Sequence, residues 1–457
     1  MGQSVTDGLG IAVTPGRNRA SHQFLFKHSR SSVRNMPVAE LQEKIQDGEK
    51  GPRVTTQRRH LRVCMVAYTF YETDSRVMRY AEALAQRGDQ VDVFSLRKPG
   101  TPRVEILGGV RVRRLQGRLF DEKSLLSYVW RILLFLTRTL YQVSIHDLRK
   151  KYDIVHIHSV PDFLIFSALV PRFRKTPIIL DIRDILPEFY ASKFGVSEES
   201  IGFRFLCMAE RFCARFANHV ITANHTWQER LLSRSVSPGG STVVLNVPDR
   251  SIFTPSDKNN DLTDRFLILY HGTLNWHQGL DLAVRAFAKI KDLVPEAEFH
   301  IYGDGPSKRE LLSLIEQLQL ENRVLLHERI PLREIPPVLE TAKLGIVPKR
   351  KDNFGNEAFS TKILEFMAMG VPVIVSDTKI DRYYFDDSVV RFFRGEDDSD
   401  LAHSMLDLIR HPEMRLALIE RATEFVAQND WAQKKHEYLN LVDRLLRVAA
   451  PESSSGS

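Results

Sequence analysis

Three kinds of sequence feature are scarce or missing in this chain, and each absence excludes a class of protein. Only three cysteines, Cys64, Cys207 and Cys213, occur among 457 residues, and no two have the spacing of a metal-binding pair. We therefore predict a reduced compartment and expect a cytoplasmic protein. The amino-terminal stretch contains no contiguous apolar segment of the signal-peptide kind. No short-period repeat is present, which excludes a solenoid.

The positive charge is concentrated in one region. The chain has a formal net charge of +7, and residues 1–60 contain ten Lys or Arg against five Asp or Glu. Because this region also lacks apolar periodicity, we predict a disordered basic extension over residues 1–60. An anionic membrane surface would suit such a segment, and a solvated tail explains it equally well. Nucleic acid is not expected as a partner, since no base-stacking motif accompanies the charge.

The most apolar segment runs from Leu125 to Val143. Arg131 and Arg138 interrupt it, so we do not expect it to span a membrane. Two interpretations remain open: a buried amphipathic helix, or a helix lying on the membrane surface. The second interpretation would place the protein peripherally on the inner face of a membrane.

The rest of the chain alternates strand-like and helix-like segments in two successive sets. With 43% hydrophobic residues, its length allows two or three domains. Such alternation builds parallel sheets, so the predicted fold class is α/β with two doubly wound domains. The predicted divisions are an amino-terminal domain at 61–245, a turn-rich linker at 246–262, a carboxyl-terminal domain at 263–428, a terminal helix at 429–448 and a disordered tail at 449–457.

Two doubly wound domains joined by a linker form a cleft, and ligands of such sheets bind at the carboxyl ends of the strands. In the second domain, three loops follow apolar strands, at residues 271–274, 302–306 and 348–355. Gly272 and Gly303 in these loops permit tight turns and a close approach of the backbone to a ligand. We therefore expect the cleft side of these loops to bind a substrate.

Two glutamates follow the third loop. Seven residues separate Glu357 from Glu365, and a helix is predicted to begin between them. A loop carboxylate can accept hydrogen bonds from sugar hydroxyls, and a second carboxylate on the helix can bind a ribose diol. The first turn of the helix offers unpaired N–H groups and a positive dipole end to a diphosphate. This arrangement can hold a sugar nucleotide, whereas a glycosidase pair is disfavoured because the two carboxylates would face different groups.

Several motifs occur together in a fixed order: Tyr152–His158, Ala217–Thr222, Asn246–Asp249, Gly303–Pro306, the two glutamates, and Ala368–Val373. On these motifs, residues 61–446 resemble the retaining GT-B glycosyltransferases of the group 1 or family 4 type. The segment Asp181–Glu188 is also similar to the subgroup that builds bacterial surface polysaccharides. The resemblance implies the GT-B fold, in which two Rossmann-like domains face a central cleft. It also implies that the terminal helix packs back on the first domain.

The resemblance implies roles for individual residues at the donor site. Glu357 would contact hydroxyls of the donor sugar, and Glu365 would bind the ribose hydroxyls. The backbone amides of Phe359, Ser360 and Thr361 would receive the diphosphate. The other substrate-binding residues predicted for the donor lie in the strand-end loops: Gly272, Thr273, Gly303 and Asp304.

The first domain would contribute residues from the opposite side of the cleft. His158 matches the family's histidine that approaches the donor sugar, although it and His156 could equally be structural histidines at a strand end. Arg183 and Asp184 are predicted on the substrate-binding, acceptor side. For Asp184 and Glu188, a role in capping a turn remains open.

The chain departs from the family pattern at two positions that carry positive charge in its members. Where the family has Arg and Lys, this chain has Thr273 and Gln278. A diphosphate leaving group still needs compensating charge in a low-dielectric cleft. We predict that Lys362 supplies it, with a local salt bridge as the alternative role. Three more basic candidates lie in one loop: Lys349, Arg350 and Lys351.

The resemblance implies transfer of a sugar from a nucleotide-diphosphate sugar to a saccharide or lipid-linked acceptor, with retention, in surface polysaccharide synthesis. His158, Glu357 and Lys362 are the predicted catalytic residues. No cofactor or metal is expected, and Asp398 and Asp400 are interpreted as a helix cap. Two other functions remain open: a catalytically silent protein that binds a sugar nucleotide, and a sugar-nucleotide epimerase.

Overall fold

The computed structural model describes residues 59–117, 125–256 and 265–449. The predicted basic extension therefore lies outside the described residues except for its last two, and the predicted tail except for its first. The second part of the predicted linker, from residue 257, lies outside them as well. No helix in the described ranges is both long and apolar enough to cross a membrane.

The first domain contains an eight-stranded sheet in the order β3-β4-β2-β1-β5-β6-β7-β8. All neighbouring strands are parallel except β3 and β4, which form an antiparallel pair. The strands are β1 (Arg62–Phe70), β2 (Gln90–Arg97), β3 (Val104–Leu107), β4 (Val110–Gly117), β5 (Ile154–His158), β6 (Ile178–Ile182), β7 (His219–Thr222) and β8 (Ser241–Val243). Central strands such as β1 and β5 are buried along nearly their whole length, which requires continuous apolar sequence because helices cover both faces.

Six helices of the first domain connect these strands: α1 (Ser75–Gln86), α2 (Leu125–Arg149), α3 (Leu169–Phe173), α4 (Leu186–Phe194), α5 (Ile201–Phe216) and α6 (His225–Arg234). Helix α1 begins directly after Asp74, whose carboxylate accepts a hydrogen bond from the Val77 amide. Helix α6 begins in the same way after Asn224, which accepts from the Trp227 amide. These caps place both helix starts at the carboxyl edge of the sheet.

The second domain contains a fully parallel six-stranded sheet in the order β11-β10-β9-β12-β13-β14. Its strands are β9 (Phe266–His271), β10 (Ala297–Tyr302), β11 (Val324–His327), β12 (Leu344–Val347), β13 (Val373–Ser376) and β14 (Arg391–Phe393). Its helices are α7 (Leu280–Ile290), α8 (Lys308–Gln317), α9 (Ile335–Leu339), α10 (Thr361–Ala368), α11 (Lys379–Tyr384), α12 (Asp398–Arg410) and α13 (Pro412–Gln428). The start of α12 corrects one expectation, because its cap is Asp397, which accepts from the amides of Ser399 and Asp400.

The terminal helix α14 (Trp431–Ala449) lies against α1 of the first domain. The Tyr438 ring packs on the Tyr80 ring with 4.2 Å between centroids. Its hydroxyl lies 3.0 Å from His156 Nδ1. Arg87 and Asp443 form an ion pair at 3.0 Å. Since α14 follows the second domain in the chain, these contacts tie the two halves together.

One hydrophobic core cluster includes residues of both domains. It contains Met65 of β1, Val247 of the linker, Phe366 of α10 and Tyr438 of α14, all nearly or fully buried. The domains are therefore joined by apolar packing as well as by the chain. Loops at the carboxyl edges of both sheets line two cavities.

Candidate functional site

Two cavities lie where loops of the two domains meet. Cavity A, of about 360 Å³, is lined by Thr73, Asp74, Ser75, Arg76, Arg183, Asp184, Ala223, Trp227, Asn246, Ala358, Phe359 and Thr361. Cavity B, of about 330 Å³, lies beside it and includes Ser75, Arg79, Asn246, Thr361 and Glu365 in its lining. Because Ser75, Asn246 and Thr361 line both, the two cavities form one elongated site beside the start of α10.

The start of α10 is a helix terminus without a cap. Ser360 precedes the helix in an extended conformation, and its side chain makes no capping hydrogen bond. The Ser360 hydroxyl is buried and has no hydrogen-bond partner among the described residues. Phe359 and Thr361 on either side line cavity A. The first-turn amides and this hydroxyl are the groups that an anion can bind at a helix N-terminus.

Lys362 lies directly beside this terminus. Its Nζ is 3.3 Å from Gln278 Oε1 and 5.5 Å from the centroid of the Tyr270 ring. Gly272 makes room for it, because a Cβ at that position would lie 2.3 Å from Lys362 Cε. Gly272 also has φ of +129°, which only glycine adopts readily. Gln278 stands at the position where the family pattern has a lysine. The ammonium group of Lys362 thus lies next to that position.

The charge of Lys362 is weakly compensated. Burial lowers the pKa of Lys362 to about 8, with nearby Glu365 acting in the opposite direction and Lys349 adding to the decrease. Within the described ranges, no carboxylate lies at ion-pair distance from its Nζ. A bound anion would supply the missing partner.

The three basic residues of the loop after β12 are paired with carboxylates. The pairs are Lys349 with Asp381 at 2.8 Å, Arg350 with Asp281 at 2.6 Å and Glu396 at 2.5 Å, and Lys351 with Asp377 at 2.7 Å. Lys349 is also buried and donates to the Ala358 carbonyl at 2.6 Å. These residues hold the loop in place, which leaves Lys362 as the candidate with free charge.

Glu365 lies one helical turn beyond Lys362 and lines cavity B. Its Oε2 is 3.3 Å from His271 Nε2. Burial and the neighbouring Lys362 lower the pKa of His271 to about 3, so the imidazole is neutral and the contact is not an ion pair. Burial also raises the pKa of Glu365, while Lys362 and Arg79 oppose the shift. Arg79 of the first domain lines the same cavity.

Glu357 contacts two residues of the first domain. Its carboxylate accepts two hydrogen bonds from the guanidinium of Arg230 on α6, with Nε to Oε2 at 2.5 Å and Nη2 to Oε1 at 2.8 Å. Lys379 lies 3.4 Å away, and Asn224 donates to the Glu357 carbonyl at 3.1 Å. The glutamate is therefore held by the first domain, and it lines neither cavity.

His158 is fully buried at the end of β5 and also lines neither cavity. Its Nδ1 lies 3.1 Å from Asp181 Oδ2, and its Nε2 has no partner among the described residues. Arg76 binds the same carboxylate at 2.9 and 2.8 Å. Burial raises the pKa of Asp181. The Arg76 guanidinium opposes this effect and holds the pKa of Asp181 well below its usual range. Burial lowers the pKa of His158, so the imidazole is neutral.

The predicted acceptor-side residues line cavity A. Arg183 pairs with Asp74 at 2.5 Å and donates to the Ser159 carbonyl at 2.7 Å. Asp184 follows it and is exposed. Glu188 lies elsewhere, because it is buried against Arg234 at 2.5 Å and neither lines the cavity nor caps a helix.

The four predicted loop residues lie together on the second domain. A Cβ on Gly303 would meet the Gly272 carbonyl oxygen at 1.9 Å, so glycine here permits contact between the two loops. The loops are further joined by a hydrogen bond from the Leu274 amide to the Asp304 carbonyl at 3.0 Å. Thr273 and Asp304 are exposed at the loop tips.

One group of described residues has donor atoms close enough for a metal ion: His156, His158 and Asp181, within 4.8 Å of one another. Both Asp181 oxygens already bind Arg76, and the Tyr438 hydroxyl contacts His156. A guanidinium at this distance opposes a cation. The group fits a buried hydrogen-bond network better than a metal site.

Three residues of the site were missed in the sequence. Arg76, Arg79 and Arg230 lie on helices whose sequences show only ordinary amphipathic patterns. Each has a partner more than a hundred positions away, as in Arg230 and Glu357, which are 127 residues apart. No local signal could have identified them.

Solved structures with the same architecture identify the fold. Sucrose-phosphate synthase from Thermosynechococcus elongatus matches with a TM-score of 0.69 at 19% identity, over 85% of this chain and 100% of that chain. Anabaena HepE in complex with UDP and glucose matches with a TM-score of 0.66 at 14% identity, over 84% of this chain and 100% of that chain. The predicted GT-B fold is confirmed.

Two family models cover the two domains. The glycosyl transferase 4-like domain matches residues 73–247, and the glycosyl transferases group 1 model matches residues 253–425. The chain belongs to the glycosyltransferases of the group 1, family 4 type. The gpi3 subunit of phosphatidylinositol N-acetylglucosaminyltransferase from Schizosaccharomyces pombe is 25% identical over 263 residues. That match covers 57% of this chain and 54% of that protein, so the chain spans about half of this relative.

Proposed function

We propose that the protein transfers a sugar from a nucleoside diphosphate sugar to a saccharide or lipid-linked acceptor. The observation that carries this proposal is the start of α10, where the buried Ser360 hydroxyl adjoins the Lys362 ammonium and, among the described residues, neither a partner for the hydroxyl nor a carboxylate for the ammonium is present. A diphosphate supplies the charge and the acceptor atoms that both groups need.

The donor would lie along the joined cavities. Its diphosphate would bind the amides of Phe359, Ser360 and Thr361, with Lys362 beside it. Its ribose hydroxyls would donate to Glu365, which lines cavity B about one helical turn beyond Thr361. The complex of Anabaena HepE with UDP and glucose supports this class of ligand.

We propose that the configuration at the anomeric carbon is retained. The bond from the anomeric carbon to the diphosphate oxygen breaks, and the acceptor hydroxyl forms its bond on the same face. The departing diphosphate takes the acceptor proton. Lys362 and the helix amides stabilise the negative charge that grows on the diphosphate, and no protein nucleophile is required.

Glu357 and His158 have supporting roles in this proposal. Arg230 fixes the position of the Glu357 carboxylate at the domain boundary, from where it orients the sugar-binding loop. Neutral His158, held by Asp181, lies behind Arg76, which binds the same carboxylate and lines cavity A.

The acceptor would enter cavity A beside Arg183 and Asp184. A lipid-linked acceptor is supported by the fission yeast relative, which is named for transfer to phosphatidylinositol. The resemblance of Asp181–Glu188 to surface-polysaccharide transferases supports a saccharide of that kind. The protein would then work in the cytoplasm, peripherally at the inner face of a membrane.

We also propose that the reaction needs no metal or other cofactor, because Lys362 and the start of α10 already provide positive charge for the diphosphate. Sugar transfer should therefore proceed unchanged in the presence of EDTA. Loss of activity with EDTA that returns on adding a divalent cation would contradict this part of the proposal.

The central experiment incubates the protein with a panel of nucleotide sugars and a membrane extract, and measures release of nucleoside diphosphate. We expect release that depends on the extract with the wild type, and at least a tenfold loss in Lys362→Ala and Glu365→Ala. Lys351→Ala is the matched control, since the Lys351 ammonium is already paired with Asp377 at 2.7 Å and Lys351 lines neither cavity. Unchanged nucleotide affinity in both site variants would refute the assignment.

The same assay separates the alternatives. An epimerase would convert the sugar nucleotide without the extract and without releasing diphosphate. A silent binding protein would be stabilised by the nucleotide sugar but would show no turnover with any extract. Either outcome would replace the proposed transfer.

A further inference from the structure

Helix α2 is apolar on two opposite faces. Its inner face is buried against the first sheet through Ile132, Phe135 and Val143. Four of its exposed large apolar residues lie on its outer face: Trp130, Leu133, Tyr141 and Leu148. At 3.6 residues per turn, these four positions fall within an arc of roughly 80°.

This outer face is more apolar than is usual for a helix surface that contacts only water. Trp130 is 67% exposed and Tyr141 is 63% exposed. A helix that needed only to cover the sheet would carry polar residues on its outer side. We name this set of four exposed residues the apolar stripe.

A cavity lined by arginines lies beside the apolar stripe. It has a volume of about 510 Å³ and is formed by the ends of β2 and β4 and by α2. Among the described residues, its lining includes five arginines and no carboxylate: Arg97, Arg103, Arg113, Arg114 and Arg138. Such a concentration of one charge around a concave surface attracts anions.

Three of the five arginines retain uncompensated charge. Arg114 pairs with Glu105 at 2.8 Å, and Arg113 pairs with Asp92 at 3.0 Å. In the part of the chain that the structure describes, no carboxylate pairs with Arg97, Arg103 or Arg138. Arg97 and Arg138 donate to neutral oxygens, at 3.0 Å to the Thr101 carbonyl and 3.3 Å to Gln116 Oε1.

The apolar stripe and the arginine cavity are continuous. Tyr141 belongs to the stripe and also lines the cavity. A second cavity, of about 360 Å³, joins them, since Trp130 and Arg138 both line it. Exposed aromatic rings next to concave cationic groups are suited to the boundary between the acyl chains and headgroups of a bilayer.

We propose that this face of the first domain binds an anionic lipid bilayer. The apolar stripe enters the boundary region of the membrane, and lipid phosphates occupy the arginine cavity through Arg97, Arg103 and Arg138. This inference deepens the proposed function, because it identifies the surface on which a lipid-linked acceptor would be presented. It rests on charge and apolar complementarity and not on the catalytic site.

The test uses the full chain and sedimentation with vesicles, without any nucleotide sugar. We compare phosphatidylcholine vesicles with vesicles that contain 30% phosphatidylglycerol. The wild type should bind the anionic vesicles, and 0.5 M salt should weaken the binding. Arg103→Glu/Arg138→Glu should weaken it at least about 20-fold, since each cation near an anionic surface contributes roughly fivefold.

Two further variants complete the design. Trp130→Ser should reduce binding about tenfold, and its effect should persist in 0.5 M salt because the stripe acts by burial. Arg309→Glu is the matched control, an exposed arginine on α8 of the second domain, and should bind as the wild type does. Thermal unfolding and binding of nucleoside diphosphates confirm that each variant is folded.

The outcomes are decisive in both directions. Equal vesicle binding by the wild type and Arg103→Glu/Arg138→Glu would overturn the proposal, since attachment would then come from another part of the chain. A wild type that binds neither kind of vesicle would also overturn it. So would a protein whose arginine cavity binds soluble phosphate or an acidic protein but no vesicle. None of these results depends on sugar transfer, so a failure here leaves the proposed function to its own assay.

Discussion

The two domains present charge to the cleft in opposite ways. The first domain places Arg76 and Arg183 at cavity A, and each is paired with a carboxylate, Asp181 and Asp74 respectively. The second domain presents Lys362 without an ion-pair partner in the described ranges, beside an uncapped helix start. A paired charge adds rigidity, whereas an unpaired one can bind an incoming anion. The difference assigns anion binding to Lys362 of the second domain and scaffolding to Arg76 and Arg183 of the first.

The largest effect should come from breaking a pair in the first domain. Arg76→Ala leaves the Asp181 carboxylate buried without its partner, which should lower the free energy of unfolding by about 3–5 kcal/mol. Urea denaturation followed by circular dichroism measures the loss. Nucleoside diphosphate affinity of the folded protein should change less than about twofold.

Arg421→Ala is the control for this variant. Arg421 pairs with Glu424 at 3.4 Å, and both side chains are more than half exposed. Its removal should therefore cost less than about 1 kcal/mol. If Arg76→Ala were no more destabilising than Arg421→Ala, the scaffolding role of the first-domain pairs would be wrong.

The next effect concerns the second domain. Lys362→Ala should reduce sugar transfer about 100-fold or more, because the diphosphate loses its charged partner in a low-dielectric site. The free energy of unfolding of Lys362→Ala should not fall as it does for Arg76→Ala. The reason is that this substitution removes a cation that has no carboxylate partner in the described ranges, so no buried carboxylate is left unpaired. Steady-state kinetics and calorimetric titration with nucleoside diphosphates test both statements. If Lys362→Ala lowered the free energy of unfolding but left nucleoside diphosphate affinity unchanged, Lys362 would be a scaffolding residue and the contrast between the two domains would be wrong.

The pH dependence should sharpen the same contrast. The pKa of Lys362 is lowered to about 8 by burial, and a bound diphosphate favours the protonated form. Nucleoside diphosphate affinity should therefore be highest below pH 8. Above that pH it should fall by up to about tenfold per pH unit. Lys362→Arg keeps its proton throughout, so a titration series with this variant should show no such decline between pH 7 and 9.5.

The smallest effect should come from the contact that joins the domains. Arg230→Ala frees the Glu357 carboxylate, leaving Lys379 at 3.4 Å as its neighbour. Because Arg230 is about one-third exposed, we expect roughly a fivefold decrease in kcat/KM. The decrease should lie in kcat, with donor affinity unchanged, and Arg230→Lys should restore part of it. A change confined to thermal stability would show that the pair is only structural.

The fold was predictable because its signals are local. Apolar runs such as Ile154–His158, followed by helix signals, predicted the parallel strands and the two-domain division. The antiparallel β3–β4 pair was not predicted, since β4 alternates buried valines with arginines and resembles an exposed segment. Its identity as a strand depends on pairing with β2, which the sequence around it does not reveal.

The sequence predicted which residues lie at the site better than it predicted their contacts. Gly272, Ser360, Lys362 and Glu365 lie together as their motifs suggested. Glu357 is predicted to contact the sugar, and the sequence did not show that its carboxylate pairs with Arg230. Lys349 was considered for the diphosphate and is buried against Asp381. In both residues the deciding partner belongs to another element of the fold.

By itself the sequence determined the order of strands and helices, the family, and the start of the helix that faces the cleft, because periodicity, capping and turn residues act over a few positions. The tertiary structure decided which charges are compensated. Lys362 meets Gln278 across 84 residues, Arg76 meets Asp181 across 105, and Arg230 meets Glu357 across 127. Charge compensation depends on distances of a few ångströms, and only the folded chain brings such remote residues that close.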